Sequence, residues 1–153
     1  MTDDRVGALA AALDEARARF FEIFDALPAD DRAAPTLVGD WGARELIAHL
    51  GYWAGHSLEA IHRVELGETD ALDVDGPEVD AINDTVARVA RETPLPTVRS
   101  REAAAAEALI VRLGAMDPGL LSVVLPDGGT LERQLQIDGP EHYREHTQQL
   151  RPR

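Results

Sequence analysis

Five histidines supply most of the coordinating nitrogen in this chain of 153 residues: His49, His56, His62, His142 and His146. His142 and His146 stand four apart in the string EHYREH. On a helix that spacing puts both imidazoles on one face, with Cβ atoms about 5–6 Å apart, so both can reach one metal ion. Two solvated histidines on a C-terminal helix have the same spacing, and the pair alone does not decide. His49 is placed by a helical wheel. At about 100° per residue, Trp53 lies about 40° from it, Leu46 about 60° and Leu50 about 100°. His49 therefore sits at the edge of an apolar stripe, as a ligand or as a histidine hydrogen-bonded at the rim of a core. His56 lies about 10 Å further along the axis, too far to share an ion with His49 but able to line a pocket. His62 points about 140° away and reads as solvent-facing.

Other chemistries are excluded by residue type. The chain has no cysteine, which removes disulfides, thiolate metal sites and a protein thiol nucleophile. All 15 basic residues are arginine, so there is no lysine for a Schiff base. Neither Ser57, Ser100 nor Ser122 sits in a G-x-S-x-G turn, and there is no G-x-G-x-x-G or phosphate-binding loop. The zinc-protease pattern H-E-x-x-H is missing, because His142 is followed by Tyr-Arg-Glu-His. The net charge is −13, with a pI near 4.6. That charge disfavours nucleic acid and anionic membrane surfaces. No apolar run approaches the roughly 20 residues that span a bilayer. The N-terminus is acidic and lacks the basic region of a signal peptide, so a cytoplasmic location is expected.

The elements that must position these residues follow a helical period. Asp3 and Asp4 are candidate caps for a helix reaching about Leu27, with Val6, Leu9, Leu13, Phe20, Ile23, Phe24 and Leu27 as its apolar positions. Residues 28–40 read as a loop. Asp40 is the expected cap of a second helix, about 41–66, which Gly67 stops. Pro77 suits the first turn of a third helix, about 77–92, whose face carries Val79, Ile82, Val86 and Val89. Pro94 and Pro96 break the chain before a fourth helix, about 99–115, whose alanine run reads as packing. The segment 120–125 is expected to be an extended connection with a turn. The last helical region, about 130–150, should kink or break at Gly139-Pro140. This layout is an all-α bundle in one domain spanning 1–153.

The segment GDWGARELIAHLGYWAGHSLEAI, with Trp41, Glu45, Leu46, His49 and Leu50, resembles the second-helix signature of the DinB/YfiT-like superfamily. The late string His142-Tyr143-Arg144-Glu145-His146 is similar to that superfamily's H-x-x-x-H helix, and Val79–Asn83 to its third helix. The resemblance implies a four-helix up-down-down-up bundle with a long crossover and, in many members, a homodimer. It also implies that His49, His142 and His146 bind a metal. All-nitrogen ligation suits Zn²⁺, Ni²⁺, Cu²⁺ or Fe²⁺. Related members include mycothiol-dependent maleylpyruvate isomerases and S-transferases that use mycothiol or bacillithiol. The resemblance therefore implies a metal-dependent enzyme acting on a small molecule, either a thiol-dependent transferase with mycothiol as a second cofactor or a hydrolase. A non-enzymatic metal- or ligand-binding stress protein is the alternative. Glu45, Glu145 and Asp138 are candidates to orient the histidines. Tyr52, Trp53, His56 and Tyr143 are candidates to wall a pocket.

Overall fold

The structure is a computed structural model that describes residues 4–152. Seven α-helices are present among them: α1 (Arg5–Ala26), α2 (Ala29–Arg32), α3 (Ala43–Leu66), α4 (Gly76–Arg91), α5 (Leu95–Ala115), α6 (Leu131–Gln136) and α7 (His142–Gln149). No strand forms among the described residues; two isolated bridges pair Val38 with Trp41 and Val124 with Thr130.

Contacts between helices give their directions. Leu13 of α1 packs on Gly139, and Phe20 packs on Tyr143 of α7, so α1 and the α6–α7 rod run parallel. Asp25 near the end of α1 pairs with Arg99 near the start of α5, and Arg17 pairs with Glu102, so α1 and α5 are antiparallel. Gly51 abuts Glu102 and Glu65 pairs with Arg112, so α3 and α5 run parallel. The order α1, α3, α5, α6–α7 is thus up-down-down-up. Two consecutive parallel helices need a crossover, and α4 is that crossover, packed on the outside of α3. The core lies between the four bundle helices and contains Phe20, Phe24, Leu46, Ile47, Leu50, Ile61, Leu109, Leu131 and Tyr143.

Local chemistry sets the ends, and several differ from the sequence expectation. Asp3 lies outside the described residues, and the Asp4 side chain makes no cap bond to α1. The expected cap Asp40 is not used by α3. Gly42 takes that place, and the Glu45 carboxylate folds back to accept the Gly42 N–H. Gly67 does end α3, with φ of 74°, a conformation that costs glycine nothing. The loop 28–40 contains the single helical turn α2. Pro96 does not break the chain: proline is compatible with a first helical turn, and α5 starts at Leu95. Of the segment 120–125, the first half belongs to a 3₁₀ turn, Pro118–Ser122, while Val123 is extended and Val124 bridges to Thr130 around the turn at 126–128.

The helix α4 corrects a packing expectation. Its valine stripe is not core: Val79, Ile82 and Val86 are half-buried and Val89 is 53% exposed. The face turned to α3 carries Asn83, Ala87 and Ala90 instead. Small residues there let a helix lying outside the bundle approach α3 closely.

The Gly139-Pro140 break occurs as expected. Residues Ile137–Glu141 form a π turn with non-helical φ/ψ at Gly139. A π turn shifts the angular register of the next helical residues, and such turns concentrate at functional sites. Here it begins α7 at His142.

Candidate metal centre

Three histidines meet where α3 faces α7. The Nε2 atoms of His142 and His49 are 2.7 Å apart, and those of His146 and His142 are 3.1 Å apart. Among the described residues, these three side chains form the group able to hold a metal, their ligand atoms all within 4.8 Å of one another. His49 and His146 are buried and His142 is half-buried.

The hydrogen bonds behind the rings fix where the lone pairs point. Nδ1 of His49 lies 3.1 Å from Oδ1 of Asn83, which also accepts Nε1–H of Trp53 at 2.9 Å. An oxygen in that position accepts, so His49 carries its proton on Nδ1 and its lone pair on Nε2. Nδ1 of His146 lies 2.7 Å from Oε1 of Gln149, which assigns the same tautomer. Two Nε2 lone pairs therefore converge on Nε2 of His142. Three cis nitrogens at 2.0–2.1 Å from one ion are spaced about 2.9–3.4 Å apart. The His49–His142 and His142–His146 spacings fall within a few tenths of an ångström of that range, and all the ligand atoms lie within 4.8 Å of one another. Three imidazoles alone would leave further positions of a divalent ion for water or substrate, as in catalytic rather than structural sites.

Electrostatics favours neutral ligands. Burial, then the nearby His146, pushes His49 down to about 4. Burial, then His49 and His146, pushes His142 down to about 3. Both rings are neutral at pH 7 and can bind metal without first losing a proton. The folded state therefore disfavours protons that the unfolded chain accepts near 6.5. This contribution to stability is complete above pH 6.5 and is lost as pH falls toward 4 and 3. Asp138, raised to about 6 by burial, acts in the opposite sense but is one group against two. The metal-free protein should lose several kcal/mol between neutral pH and about pH 4. Urea unfolding across that range checks this, and His49→Ala should flatten the slope.

The structure distributes the other candidate residues unevenly. Glu45 lies on the Gly42 amide, and Asn83 holds the Nδ1 of His49. Glu145 is exposed. Asp138 is bonded to Gln134, whose Nε2 donates to Oδ2 at 2.5 Å. Trp53 and His56 line a cavity of about 100 Å³ with Ala60, Leu72, Val79 and Gln134, their rings 5.0 Å apart. Burial pushes His56 down from the ordinary histidine value. Tyr52 lies apart, in a groove between α3 and α4. Tyr143 is a correction: it has no exposure, packs on Phe20, and points into the core. Residues one apart on a helix diverge by about 100°, so Tyr143 cannot share a face with His142.

Sequence reasoning misses the roles of three residues at the site. Trp41, which the sequence marks only as part of the signature, packs its ring 4.8 Å from that of His49. Asn83 stands in a motif that gives it no role. Gln149 follows His146 by three residues, a helical contact spacing that marks it in principle. Replacing Asn83 by alanine should weaken metal affinity about 10–100-fold, as loss of a ligand-orienting partner does, measured by competition with a chromophoric chelator.

Comparison with known proteins adds one finding. Residues 4–136 match the family described as Mycothiol maleylpyruvate isomerase N-terminal domain. The chain belongs to this family. The domain is part of the DinB-like superfamily, in agreement with the bundle topology. No curated protein and no solved structure matches significantly. The match to the mycothiol maleylpyruvate isomerase N-terminal domain contains His49 and Asn83 and ends before His142 and His146, so those two are assigned by their positions in the fold. Among the described residues no helix is long and apolar enough to cross a membrane.

Proposed function

We propose that this chain is a divalent-metal-dependent enzyme that transfers a low-molecular-weight thiol of the mycothiol type to a small molecule. The observation that carries the proposal is the convergence of three Nε2 atoms, two of them with tautomers set by side-chain oxygens. His49, His142 and His146 would hold the divalent ion, which would supply Lewis acidity enough to bring the pKa of a thiol or water toward neutrality.

The chain's residues do the rest. Asn83 and Gln149 keep His49 and His146 aimed at one point, and Trp41 packs against the His49 ring. The chain has no cysteine, so a sulfur nucleophile must come from a cofactor. In the transfer, sulfur forms a bond to a substrate carbon. The leaving group departs with the electrons of its broken bond, and the thiol proton goes to the leaving group or to solvent. The family's description names mycothiol, which favours this route over hydrolysis.

The test is turnover by metal-loaded protein over a panel of small electrophiles, with and without mycothiol. Thiol-dependent product, abolished in His49→Ala, supports the proposal. Product formed equally without thiol would make the chain a hydrolase. Stoichiometric ligand binding without turnover would make it a binding protein.

A further inference from the structure

The outer side of α3 carries a second cavity that the histidine site does not use. It measures about 360 Å³ and lies between α3, α4 and α5. That is the size of a small-molecule site. Its walls are Ala48 and Gly51 of α3, Val86 and Ala90 of α4, and Val98 of α5, with Arg101 at its edge. The sequence builds this space from small residues. Gly51 admits the backbone of α5, since a Cβ there would stand 3.0 Å from Cα of Glu102. Ala90 and Ala48 leave the volume a larger side chain would fill.

The charge in this cavity is simple. Glu102 lines it, but its carboxylate has no exposure and is held by Arg17 and Tyr143. Arg101 is exposed and has no hydrogen bond or ion pair among the described residues. An apolar hollow with one free guanidinium at its edge matches a ligand with one anionic group and an apolar body. Guanidinium binds a carboxylate through two parallel hydrogen bonds. A second copy of the chain suits the hollow less well. It would bring another −13 charge to the interface, and a concave surface needs a convex partner. We infer that the α3–α4–α5 cavity binds a small monocarboxylic acid with an apolar body, its carboxylate on Arg101. This site is independent of the metal centre.

The test is calorimetric titration of the metal-loaded protein with 3-phenylpropanoate and with the neutral 3-phenylpropanol. The acid should bind at least about tenfold more tightly than the alcohol, the scale of a charged hydrogen-bonded pair. Arg101→Ala should remove that preference and leave the affinity for the alcohol unchanged. Val86→Trp, which fills the hollow, should abolish binding of both while circular dichroism stays native. His49→Ala should leave acid binding intact, because the carboxylate is not on the metal. Equal binding of acid and alcohol, no effect of Arg101→Ala, or loss of acid binding in His49→Ala would each overturn the inference. So would a dimer in sedimentation velocity that shields Tyr52 and Val89 from solvent.

Discussion

Glu102→Ala should destabilise the protein by about 3–5 kcal/mol, the cost of breaking a buried ion pair by removing one partner. Glu102 is 1% exposed in the middle of an apolar bundle. It is tolerated there because its oxygens are satisfied. Arg17 of α1 donates from Nε at 2.8 and 2.9 Å and from Nη2 at 2.6 Å, and the Tyr143 hydroxyl of α7 donates at 2.7 Å. The carboxylate holds the arginine charge in place and raises its pKa. Burial, then the charge of Glu102, pushes Tyr143 well above the ordinary phenol value, so the hydroxyl stays protonated and donates. One side chain thus ties together α1, α5 and α7. Removing it leaves a cavity and an orphaned tyrosine hydroxyl. At about 2–4 °C per kcal/mol for a chain of this size, Tm should fall by about 6–20 °C. Tyr143→Phe should cost only about 1 kcal/mol, because Glu102 keeps its arginine. Thermal unfolding of both variants checks the order. A Glu102→Ala protein as stable as the parent would mean that the network contributes nothing.

The second large effect concerns the metal. A ligand that binds only the folded chain stabilises it by about 4 kcal/mol when its concentration is 1,000 times its Kd. Zn²⁺ at that excess should therefore raise the Tm of the wild type by about 8–16 °C. His49→Ala should remove nearly all of this gain. The remaining pair on α7 keeps two nitrogens, but loses the ligand that links α7 to α3. The variant should still fold, because the core around Phe20, Leu46, Leu50 and Leu131 is untouched. In the absence of metal it should lose about 1–3 kcal/mol at neutral pH, since a buried ring and its bond to Asn83 are removed. Differential scanning calorimetry with and without Zn²⁺ separates the two effects. A variant that keeps the full Zn²⁺ gain would exclude His49 from the site.

Much of the fold is legible because long helices write their period into the sequence. The stripe Leu9, Leu13, Phe20, Phe24 and the cap Gly67 need no tertiary information. The crossover α4 is harder. A valine stripe and an asparagine–alanine stripe lie on the same helix, and periodicity favours the more apolar one. The helix turns the other face inward because Asn83 satisfies two buried donors, the ring N–H groups of His49 and Trp53. A hydrophobicity count cannot see that exchange. Glu102 is obscured in a similar way. It occupies the apolar stripe of α5 with Val98, Ala106, Leu109 and Leu113, but its partners are 85 and 41 residues away. A buried acid with distant partners leaves no local signal.

The histidine site shows both limits at once. Spacing places His142 and His146 on one face, and the Gly139-Pro140 step marks where that face is reset. Spacing alone cannot bring His49 to them, since the α3–α7 contact depends on packing of the whole bundle. Nor can it show that Glu45 is drawn to the end of α3. The N-terminus of a helix has unpaired amides, and a carboxylate three residues in satisfies one of them.

If His49, His142 and His146 share one ion, each of them is needed to retain it. The most direct measurement is metal content by mass spectrometry on untagged protein, loaded with Zn²⁺ and then freed of excess, beside His49→Ala and His146→Ala. About one ion per chain is expected in the wild type, with a large loss in both variants. Wild-type protein that retains no metal, or variants that retain it in full, would contradict a shared metal site and leave the three rings as a hydrogen-bonded cluster.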